Sequence, residues 1–126
     1  MKKLLLAALL GTLVLAFQPA SAHGNLQPDH PGGIVHITGD ISFELVPVAA
    51  GVELYVEEDN EDMPSEGMTA KLTVIAAGVK TEAVMTPAGG NKLFAKGVKL
   101  PRGAKVAVLL IRSDKLTKIG ANFAIK

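Results

Sequence analysis

The chain has 126 residues, 13 Lys and Arg against 12 Asp and Glu, a formal net charge of +1, a hydrophobic fraction of 48% and no cysteine. Zero cysteines exclude a disulfide framework, thiolate metal sites and cysteine nucleophiles, leaving histidine, methionine, carboxylate and backbone groups as protein ligands. The small net charge hides a division: residues 23–70 carry ten acids and no Lys or Arg, whereas from Lys71 onward eleven basic residues stand against Glu82 and Asp114. An acidic first half that holds all three histidines favours cations and speaks against nucleic acid as a partner.

In chain order, Lys2 and Lys3, an apolar run from Leu4 to Phe17 and the small-residue triplet Ala20-Ser21-Ala22 predict a signal peptide over residues 1–22. The run is too short to span a bilayer, and no later stretch is apolar enough to anchor the chain. The expectation is therefore an exported periplasmic protein with no membrane insertion after cleavage. Residues 23–36 read as an N-terminal arm holding His23, His30 and His36, because HGNLQPDHPGG has two prolines, three glycines and no periodicity.

Residues 37–126 read as one domain of short strands. Ile41-Ser42-Phe43-Glu44-Leu45 and Val52-Glu53-Leu54-Tyr55-Val56-Glu57 alternate apolar and polar residues, the period of a half-buried strand. Glu57 to Gly67 is an acidic connection, and Lys71-Leu72-Thr73-Val74 resumes the alternation. Turn signals at Ala77-Gly78, at Pro87 to Asn91 and at Pro101-Arg102-Gly103 then separate Thr81 to Thr86, Lys92 to Lys96, Ala104 to Arg112 and a last strand over Ile119 to Ile125. The pattern predicts an all-β fold, an antiparallel immunoglobulin-like β-sandwich of about seven to eight strands. Its core is expected to hold Ile41, Phe43, Leu45, Leu54, Val56, Leu72, Val74, Val106, Val108, Leu110 and Phe123.

Cleavage after Ala22 makes His23 the first residue, so its α-amine and ring nitrogen can close a chelate on one metal ion. Nitrogen ligands suit Cu(II) above other common divalent ions. His30 and His36 follow within reach of a flexible arm, and Asp29 is placed to orient the His30 ring or to bind directly. Met63 and Met68 flank Pro64 and Gly67 in the acidic connection, where thioethers would favour Cu(I). The competing reading makes each methionine a cap over the edge of the core.

The run Glu57 to Asp62 lacks the spacing and the glycine of a calcium loop and reads as a solvated hairpin loop. Ser42, Ser65 and Ser113 supply hydroxyls, but no G-x-S-x-G elbow or H-E-x-x-H motif accompanies them, so no enzyme is expected.

Gly32-Gly33-Ile34-Val35, then Gly39 to Val46, then Leu54-Tyr55-Val56-Glu57, then Pro87 to Leu93 give the mature chain a familiar order. It resembles a group of small uncharacterised periplasmic β-sandwich proteins, similar to a segment of the periplasmic adaptor subunits of heavy-metal efflux pumps. In that group a histidine followed by two glycines commonly opens the mature domain. Here the corresponding stretch is His30-Pro31-Gly32-Gly33, with seven residues before it, so either His23 or His30 takes the metal-facing place. The resemblance implies a heavy-metal binding or handling protein accessory to efflux or resistance, with a heavy-metal efflux pump component as partner. The alternative is an interaction module that binds no metal and docks on a membrane-anchored partner through its basic C-terminal strands or a free sheet edge.

Overall fold

Once strands pair, alternation along the chain becomes alternation between the faces of a sheet. The structure, a computed structural model, describes residues 26–126. The expected signal peptide and His23 lie outside the described residues. The strands are β1 (Ile34–Thr38), β2 (Ile41–Val48), β3 (Gly51–Glu58), β4 (Glu61–Asp62), β5 (Thr69–Ala76), β6 (Val79–Pro87), β7 (Lys92–Lys96), β8 (Lys105–Ile111) and β9 (Lys118–Ala124). No helix of the described residues is long and apolar enough to cross a membrane.

Every pairing is antiparallel, in the order β1-β2-β3-β7-β6-β5-β8-β9, with β4 added to β3. The hairpin-linked strands β5, β6 and β7, with β8 returning beside β5, make a Greek key. The joint is β6, which pairs with β5 from Val79 to Met85 and with β7 only through Thr86 and Pro87. At the other end β1 approaches β9, where the Thr38 hydroxyl donates to the Gly120 carbonyl at 2.9 Å. The all-β antiparallel architecture expected from the sequence is present, its two layers running into one another through β6 so that the body is nearly a barrel.

All eleven residues expected in the core are buried. Val52, Met63, Met68, Ala70, Met85 and Leu93 also belong to it. Asp59 and Asn60 (φ 52° and 64°) and Ala77 and Gly78 (φ 49° and 76°) form two-residue turns with both φ positive, the type I′ geometry that matches the twist of paired strands. In the β8–β9 connection, hydrogen bonds from the Thr117 hydroxyl and from the backbone of Thr117 and Leu116 hold the Asp114 carboxyl down to about 2.

Strand β1 begins at Ile34, so His36 sits in a strand rather than in the arm. The β-branched run around it pairs with β2, and the register sets His36 opposite Phe43.

Candidate functional site

On β2 the inward residues are Ile41, Phe43 and Leu45, so Ser42 and Glu44 project from the outer face. Register places Glu44 between Val35 of β1 and Tyr55 of β3, and Ser42 beside Glu57. The arm folds back across this face through one turn. In His30-Pro31-Gly32-Gly33 the Gly33 N–H donates to the His30 carbonyl at 3.0 Å, proline occupies the second position and Gly32 has φ +76°. That is a type II turn, and it explains why proline and glycine stand in that order.

The turn delivers His30 onto Glu44. The His30 backbone N–H donates to Glu44 Oε2 at 2.9 Å, and Nδ1 lies 2.7 Å from Oε1. The ring also stacks on Tyr55, with centroids 4.0 Å apart and planes at 14°. Gly33 completes the clamp, since a Cβ there would lie 2.3 Å from Glu44 Oε2. A carboxylate on the outer face is thereby reduced to 6% exposure.

Because an ionised carboxylate only accepts, Nδ1 carries the hydrogen and Nε2 is the nitrogen left for a ligand. Beside the ring lies a cleft of about 270 Å³ lined by Asp29, Ser42, Glu57, Asp62 and Asn91, together with Glu44 and Tyr55. Burial, then the charges of Asp29, Asp62 and Glu44, raise the Glu57 carboxyl above its usual range. Burial first, then the Glu53 carboxylate, also raises the Tyr55 phenol, while Lys92 pairs with Glu53 at 3.1 Å.

A raised folded-state pKa means that the ionised Glu57 opposes folding once the pH exceeds that value, and is neutral in its effect below the unfolded value. Glu57→Gln is therefore expected to raise Tm at pH 7, and the gain should disappear in thermal melts taken below about pH 4. An equal gain at both pH values would show that crowding of carboxylates is not its origin.

Of the expected ligands, the structure brings Asp29 and His30 to one cleft. His36 is not part of it, which corrects the expectation of a shared histidine site. Its parity matches the inward Phe43, and its ring meets Phe123 edge-on at 5.8 Å and 60°, so the sheet separates it from His30. Met63 and Met68, expected either as soft ligands or as caps over the core, are core residues at 6% and 4% exposure. The acidic connection folds against the body, with Met63 N–H bonded to the Val56 carbonyl, Ser65 N–H to Gly90 and Met68 N–H to Ser65. Met63→Leu and Met68→Leu are expected to cost less than about 1.5 kcal/mol each in urea titrations, as volume-conserving core swaps do. A larger loss in either variant would show that more than core volume fixes the methionine there.

Among the described residues no group of three or more His, Cys, Asp or Glu is arranged to hold a metal ion. Sequence reasoning missed Glu44 and Tyr55, which hold the His30 ring. The available signal was the type II turn sequence His30 to Gly33 fourteen residues before a strand glutamate. Comparison with protein-family models, with curated proteins and with solved structures yields no match to this chain.

Proposed function

We propose that the protein is a periplasmic heavy-metal binding or handling protein, with copper favoured, accessory to metal efflux or resistance. The observation that carries this reading is the His30 imidazole, held at Nδ1 by the buried Glu44 while the residue lines an acidic cleft. A carboxylate on the far nitrogen is what orients metal-ligating histidines and raises their basicity. One imidazole is an incomplete site, and the α-amine and ring of His23, seven residues upstream, complete the nitrogen set. Seven residues span at most about 23–25 Å, ample for the chain to fold back onto the cleft. Asp29, Glu57 and Asp62 raise the local cation concentration.

Isothermal titration of the protein beginning at His23 is expected to show Cu(II) binding. Affinity should fall at least about tenfold in His30→Ala and when one glycine precedes His23, and by roughly 10–100-fold in Glu44→Gln, the usual effect of losing an orienting carboxylate. No heat above buffer overturns the proposal.

The separation of His30 from His36 favours a second reading, a module that binds no metal and docks on a membrane-anchored partner. A silent copper titration combined with retention on that partner decides for it.

A further inference from the structure

The open edge of β6 carries a self-complementary pattern. The turn at Ala77-Gly78 makes Ala76 and Val79 a hydrogen-bonded pair, so Val79, Thr81, Ala83 and Met85 turn their N–H and C=O groups toward β5. Lys80, Glu82, Val84 and Thr86 turn theirs the other way. Thr86 meets β7 there, but β7 then diverges, with the Gly97 N–H bonded to the Ala50 carbonyl at 2.8 Å. A groove of about 330 Å³ bordered by Thr81, Glu82, Ala83, Gly97, Val98 and Lys99 separates β6 from the departing chain. Among the described residues, no strand pairs with the backbone of Lys80, Glu82 and Val84 on this side.

Protected edges carry proline, a bulge or charged side chains, lysine above all. From Val79 to Thr86 there is no proline or glycine, the register with β5 is unbroken from Val79 to Met85, and Val79 and Val84 are 62% and 67% exposed. Lys80 and Glu82 share a face but have opposite charge. Glu82 already meets Lys71 and Lys80, both at 3.3 Å, and remains 43% exposed. Those two lysines hold its carboxyl below the usual range.

We propose that this edge pairs with the β6 edge of a second copy, antiparallel about a two-fold axis through Thr81. In that register Lys80 of each copy stands opposite Glu82 of the other in a hydrogen-bonded position, so the symmetry produces two opposite-charge pairs. Val79 faces Ala83, and Thr81 faces itself in the close, non-bonded position with Cα atoms about 4.5 Å apart. Centring on Lys80 or Glu82 sets like charges against each other and centring on Ala83 sets Glu82 against Val84, so the Thr81 register is the one that pairs opposite charges. The interface lies away from the His30 cleft and stands independently of metal binding.

Sedimentation velocity over a concentration series of the mature protein is expected to show a monomer–dimer equilibrium. The chain has no cysteine, so Thr81→Cys introduces a single thiol at a separation that suits a disulfide. It should cross-link under mild oxidation at least about tenfold faster than Leu116→Cys, a control at an 83% exposed loop position. Lys80→Glu is expected to abolish association, and Lys80→Glu combined with Glu82→Lys to restore it, with circular dichroism confirming that each variant folds. A monomer at every concentration overturns the proposal. So does a Thr81→Cys rate no greater than the control, or a charge swap that fails to restore the dimer.

Discussion

Truncating Phe43 to alanine is expected to cost about 3–5 kcal/mol, the range for emptying an aromatic core position. The ring is fully buried on β2 and belongs to the core cluster, with Val56 of β3 and His36 of β1 opposite it in register. A domain of this size has about 5–15 kcal/mol in all, so this one change removes a large share. In a domain of about 100 residues each kcal/mol moves Tm by roughly 4–8 °C, which gives a fall of at least about 12 °C. Urea titration should show a lower midpoint with an unchanged slope, the sign of lost stability without altered compactness. Val84→Ala, on the exposed face of β6, is the contrast: its side chain is 67% exposed, and its own stability should stay within about 0.5 kcal/mol of the parent. A Phe43→Ala midpoint close to the parent's would mean that the barrel interior closes elsewhere.

The inward face of each strand was legible because parity is a local property. Ile41, Phe43 and Leu45 alternate with Ser42 and Glu44, and in the structure the first three are buried in the core. The turns were legible for a similar reason, as Ala77-Gly78 and Pro87 to Asn91 interrupt β-favouring runs with residues suited to tight reversals. Glu44 was not legible, because parity sends it outward and its burial is imposed by a turn fourteen residues away. His36 failed for the complementary reason: its separation from His30 depends on register with Phe43, and register is a property of two strands. Met63 and Met68 lie in a segment whose acidic composition reads as solvated, yet backbone bonds from Met63 to Val56 and from Ser65 to Gly90 draw it against the core. Composition reports the average of such a connection, while burial is decided one residue at a time.

Glu44→Ala tests whether the arm is held as the geometry requires. The substitution removes both acceptors of His30, its backbone N–H and its Nδ1–H, at a carboxylate with 6% exposure. Hydrogen bonds to charged groups contribute about 1.5–3 kcal/mol, and a released arm recovers part of that by hydration, so a loss of roughly 2–3 kcal/mol is expected. At about 4–8 °C per kcal/mol this lowers Tm by at least about 8 °C. Gly33→Ala attacks the same contact from the other side, since the added carbon would stand 2.3 Å from Oε2 and the carboxylate has to leave. Both variants should expose the arm before β1 to limited proteolysis. Tyr55 supplies a second readout, because it is the sole tyrosine in a chain without tryptophan and the His30 ring lies 4.0 Å from it. Its emission should change in both variants and stay constant in Met68→Leu, which leaves the stack alone. If the spectrum and the cleavage pattern of Glu44→Ala match the parent, the arm is held by something other than this carboxylate, and His30 loses the fixed orientation on which the proposed metal site depends.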